Sequence, residues 1–207
     1  MGTRNLTAVI HEGKYVIAQY GQWDGYPEGQ GNTARKFLRE KFDRERFLAA
    51  LKRVRWATKE EIDAGYVKSG ADGSGFVTMD VVARFDRLFP YLSRDHGAEI
   101  LEMVQESSGE VLLRDDHGFA SDSLFCEWAY VIDLDKNTFE VYKGFNSAPV
   151  PAGERFADLP PREKQTSDST YYPIKHVLTY ALDAVPNNDE FLRDIRKALP
   201  KEEDEAA

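Results

Sequence analysis

The chain has 207 residues, 42% of them hydrophobic and 30% charged, with 36 acidic against 27 basic side chains and a formal charge of -9. That size and apolar content suit one domain with a substantial core, and the acidic excess argues against broad attachment to nucleic acid polymers or anionic membranes. One cysteine, Cys126, excludes an internal disulfide and points to a reducing compartment; no long apolar run or signal-peptide pattern is present, so a cytoplasmic protein is expected.

In chain order, Leu6 to Ile10 and Tyr15 to Tyr20 are β-rich runs at hairpin spacing, with Gly13 placed for a positive φ. Asn32 or Thr33 is expected to cap a helix carrying Ala34, Phe37, Leu38 and Lys41, and Asp43 a second with Phe47, Leu48 and Leu51 on one face. Thr58 with Glu61 fits a capping box, followed by a short helix that Gly65 limits. Residues 70–75 read as a flexible loop. Met79 to Phe89 and Gly97 to Gln105 read as helices separated by Pro90.

Leu124 to Leu134 and Thr138 to Phe145 form the clearest hairpin, turning at Asp135, Lys136 and Asn137 and expected near the sheet centre. Residues 147–172 read as an irregular crossing. Apolar spacing from Ile174 to Val185 predicts a helix, and Phe191, Leu192, Ile195 and Leu199 another after the Pro186 break. The order predicts an α+β fold, a mainly antiparallel sheet built from the N-terminal and central hairpins and covered by helices. A single domain over 1–200, with a helical segment near 34–106, precedes an acidic tail over 201–207 that is expected to be disordered.

The richest chemistry lies between Gln19 and Thr33. Tyr20, Trp23 and Tyr26 can stack on a base or sugar, Gln22 and Asp24 can read its polar edges, and the interspersed glycines allow close backbone approach. Gly29, Gly31, Asn32 and Thr33 lead into the expected helix, whose unpaired N–H groups would suit phosphate or carboxylate. A Gly-rich turn that merely supports the hairpin is the competing reading. Arg4 could pair with Asp24 or hold an anionic ligand group. The segment is neither a Walker loop nor a dinucleotide fingerprint.

Elsewhere, His11 and His117 fall in turns and His96 and His176 at helix starts, with no zinc spacing, and no metal or cofactor is expected. Asp133, Asp135 and Asn137 begin like a calcium loop, but Thr138 and Gly144 occupy positions that require Gly and Glu. Asp115, Asp116 and His117 form a second candidate acid/base cluster.

The opening Gly2-Thr3-Arg4-Asn5-Leu6-Thr7, with Gln19-Tyr20-Gly21-Gln22-Trp23-Asp24-Gly25-Tyr26-Pro27 and Gly29-Gln30-Gly31, resembles a group of uncharacterised phage, bacterial and fungal proteins. Leu92-Ser93-Arg94 and Gly97 to Leu101 share the likeness, which implies relatedness without an activity. A fainter likeness is to N-terminal nucleophile hydrolases, with Thr3 and Asp24 laid on their pattern. Removal of Met1 would expose Gly2, leaving Thr3 without the free amine that mechanism needs.

The expected function is binding of a small anionic, nucleotide-like ligand, which in a phage could sequester a defence signal. A hydrolase and a protein-interaction module with an exposed aromatic loop are the alternatives.

Overall fold

The computed structural model describes residues 2–161 and 170–199; the tail over 201–207 and part of the crossing over 147–172 lie outside them. The expected α+β class holds. A five-stranded sheet has the order β2-β1-β5-β6-β7, formed by β1 (Asn5–His11), β2 (Lys14–Gly21), β5 (Trp128–Asp133), β6 (Thr138–Lys143) and β7 (Lys175–Ala181). All neighbours are antiparallel except β1 and β5, which pair in parallel from Asn5 opposite Trp128 to Ile10 opposite Asp133. A second, parallel pair joins β3 (Val54–Trp56) to β4 (Val111–Leu113).

Both expected hairpins form, each for a local reason. At the first turn Glu12 and Gly13 both take positive φ (53° and 70°), the geometry that matches strand twist. The carboxylate of Asp135, in the neighbouring turn, accepts the backbone N–H groups of Glu12 and Gly13 at 2.9 and 2.8 Å, which holds the Asp135 carboxyl below its ordinary pKa. Asp133 Oδ1 accepts from Asp135 and Lys136, closing the second turn. These carboxylates are therefore turn ligands. Among the described residues no cluster of three or more His, Cys, Asp or Glu could hold a metal.

Each face of the sheet is covered. Val9, Ile17, Tyr130, Ile132, Phe139 and Val141 pack against α1 (Asn32–Lys36) with its flanking turns, α2 (Arg44–Leu51), α5 (Ile100–Glu106) and α6 (Asn188–Ala198). Leu6, Ala8, Ile10, Ala129 and Val131 pack on the opposite face under Ala120, Cys126, Phe156 and Ile174. Because β1 and β5 are covered on both sides, they read as nearly unbroken buried runs.

Helices α3 (Lys59–Lys68) and α4 (Met79–Leu88) form a satellite lobe joined by Tyr66 stacked on Phe85 at 4.1 Å. Gly65 permits that contact, since a Cβ there would lie 2.9 Å from the Phe85 ring. The capping box at Thr58 is complete: Thr58 Oγ1 accepts from the Glu61 N–H, and Glu61 Oε2 accepts from the Thr58 N–H. Thr58→Ala is expected to cost about 1 kcal/mol, read as a lowered urea midpoint at unchanged m-value. No helix among the described residues is long and apolar enough to cross a membrane.

Two expectations are corrected. The segment from Ile174 to Val185 is not a helix but contains edge strand β7, paired with β6 from Lys175 opposite Lys143 to Ala181 opposite Thr138. Its apolar spacing fits either period, and the free edge of β6 decides between them. The helix expected to start at Asn32 or Thr33 starts earlier: π-helical turns Pro27–Gly31 and Phe37–Lys41 flank α1, so helical backbone begins at Pro27, where proline suits the first position.

Candidate functional site

The sheet edge formed by the start of β1 and the end of β2 carries a cavity of about 440 Å³ lined by Arg4, Tyr20, Gln22, Arg94, Asp116, Phe119 and Phe125. Backbone bonds assemble it from distant chain segments. The Gln22 N–H donates to the Arg94 carbonyl (3.0 Å), the Asp116 N–H to the Ala18 carbonyl (3.0 Å) and the Glu127 N–H to the Arg4 carbonyl (3.2 Å). Tyr20, at the end of β2, packs edge-on against Phe119.

Two cations define its electrostatics. The Arg4 guanidinium lies 4.5 Å from the centroid of Phe125 and that of Arg94 lies 4.0 Å from the centroid of Tyr20. Neither makes an ion pair with a carboxylate among the described residues, whereas Arg46, Arg55 and Arg155 all do. Of the two readings of Arg4, the pair with Asp24 is not formed among the described residues. Burial raises the Tyr20 phenol above its ordinary pKa despite the opposing pull of Arg94 and Arg4, so it stays a donor and its O–H donates a hydrogen bond to Gln22 Oε1. That bond leaves the Gln22 amide nitrogen free to donate.

Asp116 is the one acid on the lining among the described residues. Its Oδ2 accepts the Tyr20 N–H at 3.2 Å. Burial raises its pKa, outweighing the lowering effects of that bond, Arg114 and Arg94. The neighbouring Asp115 instead holds His117 Nδ1 at 2.7 Å, and the His117 ring stacks on Tyr15. Asp115, Asp116 and His117 thus divide between two environments rather than forming one cluster.

Of the ten residues read as ligand contacts, Arg4, Tyr20 and Gln22 converge on the cavity. Trp23, which follows Gln22 but is not a lining residue, is half exposed, with Nε1 donating to Asp95 at 3.0 Å, while the ring packs over Gly2. Tyr26 is 53% exposed and its carbonyl accepts from Gly29 and Gly31. Asp24 takes a positive φ of 53°, and its carbonyl accepts from the Gln30 N–H.

At Gly29, Gly31, Asn32 and Thr33, where an anion was expected, the turn uses its own N–H groups. The N–H groups of Gly29, Gln30 and Gly31 are bonded to the Tyr26 and Asp24 carbonyls, and Glu28 occupies the first turn. These glycines serve packing: a Cβ on Gly29 would lie 2.2 Å from the Asp24 carbonyl oxygen, and one on Gly31 would lie 2.8 Å from the Tyr130 ring. Asn32 binds Arg35 through Oδ1. With Thr33 it lines a separate groove of about 610 Å³ against α5, where Glu99, Glu102 and Glu106 face Lys36 and a Lys41 already paired with Glu102.

Arg94, Asp116, Phe119 and Phe125 were not selected as ligand contacts from sequence. Asp116 stood out there only as part of the Asp-Asp-His run, and Arg94 only within the stretch from Leu92 to Leu101. The residue that could have mimicked an N-terminal nucleophile, Thr3, is 3% exposed, and its carbonyl accepts the Gly25 N–H. Comparison with protein-family models, curated proteins and solved structures found no match.

Proposed function

We propose that the protein binds a small anionic, nucleotide-like ligand in the cavity between Arg4 and Arg94. The observation that carries this reading is the pair of guanidiniums, held on aromatic rings and, among the described residues, left without carboxylate partners around a concave, partly apolar space. Arginine offers a planar fork of donors that matches phosphate and carboxylate, and stacking on a ring fixes its plane in advance. The Gln22 amide adds a further donor. The half-exposed indole of Trp23, one residue beyond Gln22, offers a flat apolar surface suited to a base or sugar.

Binding is favoured over covalent chemistry because, among the described residues, the lining holds no serine, threonine, cysteine, lysine or histidine, and its Asp116 and Tyr20 side chains are already engaged by hydrogen bonds. Cys126 is fully buried, and burial pushes its thiol well above the ordinary pKa. Sequestration of the ligand is the corresponding biological role.

Thermal-shift titration with nucleoside monophosphates, cyclic nucleotides and nucleotide sugars tests the reading. A ligand at about 100 times its Kd should add about 2.7 kcal/mol of stability. Arg4→Gln and Arg94→Gln should each weaken that ligand at least about tenfold by removing a charge-assisted contact, with the unliganded midpoint little changed. A panel that produces no shift, or shifts that survive both substitutions, would sink the proposal.

A further inference from the structure

The cavity contains a feature that a simple anion trap does not need. Asp116 lies among the donors of Arg4, Arg94 and Gln22, yet forms no ion pair with either arginine among the described residues. Only its Oδ2 is engaged, by the Tyr20 N–H, and Oδ1 has no hydrogen-bond partner among the described residues. Arg114 and Arg94 favour the ionised carboxylate, while burial and Asp115 oppose it.

An anion that enters this space meets two attractive guanidiniums and one like charge. Repulsion, and the loss of water from the second carboxylate oxygen as the anion enters, make that encounter costly unless the anion itself supplies a hydrogen-bond donor. Sulfate has none. Hydrogen phosphate carries one P–O–H, and a sugar phosphate carries hydroxyls beside its charge. A site that sets a partly buried acceptor among its donors rejects ligands that cannot donate to it more strongly than an apolar pocket rejects a misfit.

We infer that Asp116 is a specificity-determining residue that makes the cavity select anions bearing their own O–H donor over anions that have none. This selection rests on the anion-binding reading above. The donor can come from the phosphate itself or from a sugar hydroxyl, and the two sources are separable.

The test compares the full chain with its Asp116→Asn variant by calorimetric titration near pH 8, using sulfate, methyl phosphate, inorganic phosphate and ribose 5-phosphate. At that pH the methyl ester is mainly a dianion without a proton, inorganic phosphate keeps one, and the sugar phosphate donates through its hydroxyls. The wild-type protein should bind at least one of the two donor-bearing anions about tenfold or more tightly than sulfate and methyl phosphate. A preference for inorganic phosphate assigns the donor to phosphorus, and a preference for ribose 5-phosphate assigns it to the sugar.

In Asp116→Asn the preference should fall to about twofold or less, chiefly through tighter sulfate binding, because the neutral amide can donate to an anion while its oxygen still accepts the Tyr20 N–H. Asp116→Ala removes the charge without adding a donor and serves if the amide variant fails to fold. Sulfate binding the wild type as tightly as both donor-bearing anions, with affinity lost in Arg4→Gln, overturns the selection alone. A preference that persists in both Asp116 variants also overturns it. No binding of any of the four probes to wild type or variants overturns the selection together with the reading beneath it.

Discussion

Arg155→Met should lower stability by about 3–5 kcal/mol, because it strands two buried carboxylates. The Arg155 guanidinium donates to Asp133 Oδ2 at 2.7 Å and to both oxygens of Glu140 at 2.7 and 2.8 Å. Asp133 and Glu140 sit on neighbouring strands, and their side chains are 3% and 8% exposed. Tyr142 and Thr138 also donate to Glu140, at 2.6 and 3.0 Å. Together with the buried Phe156 ring, this side chain pins the crossing segment after β6 to the sheet.

The pH dependence of that loss has a definite sign. Burial alone would raise the Glu140 pKa, but hydrogen bonds from Arg155 and Tyr142 together with the guanidinium charge outweigh it, and the carboxyl lies below its ordinary 4.5. A depressed carboxyl contributes stability above its unfolded pKa and loses that contribution as pH falls through the folded value. The gap between wild type and Arg155→Met should therefore be full at neutral pH and narrow on acidification below 4.5. Urea unfolding across that range measures it. Adding Asp133→Asn and Glu140→Gln to Arg155→Met should recover much of the loss, since neutral groups leave no unpaired buried charge. A single-variant cost below about 1 kcal/mol would mean that the network is no more than a surface pair.

Gly29→Ala is the second large expected effect, a loss of about 3 kcal/mol. Its Cβ would lie 2.2 Å from the Asp24 carbonyl oxygen and 3.0 Å from Asp24 Cβ. Asp24 cannot move away without breaking the bond its carbonyl accepts from Gln30 at 2.8 Å, and it already holds a left-handed backbone. Gly109→Ala is the control: its Cβ would meet nothing within 4 Å and its φ is ordinary, so a change within about 0.5 kcal/mol is expected. Thermal unfolding without added ligand distinguishes them. If Gly29→Ala leaves the midpoint unchanged, steric packing does not explain this glycine.

The same packing explains much of the segment from Gln19 to Thr33. Asn5 lies over Gly21, where a Cβ would come within 2.5 Å of its amide, and donates to the Gly21 and Trp23 carbonyls. Gln19 ties β2 to the Ser93 carbonyl at 2.7 Å, and Gln30 Oε1 accepts from the Ala98 N–H at 2.7 Å. Tyr130, buried in the central strand, donates to the Gly25 carbonyl. The composition of this segment stood out in the sequence, but glycines needed for close packing and glycines that admit a ligand look the same there. Only their neighbours tell them apart.

Local chemistry determined the two hairpins, the capping box at Thr58 and the helix over Asn188–Ala198, because turn residues, caps and apolar period act within a few positions. The fate of residues 174–185 was decided by the open edge of β6, and the parallel register of β1 against β5 by a crossover of more than a hundred residues. The cavity belongs to the second kind. Arg4, Tyr20, Arg94, Asp116 and Phe125 come from segments that no spacing rule connects, and they meet because the strand ends of the sheet bring their backbones into hydrogen-bonding range. The sequence by itself determined which cationic, polar and aromatic side chains the protein carries; the tertiary structure decided which of them share one space and left Arg4 and Arg94 there without a carboxylate partner among the described residues.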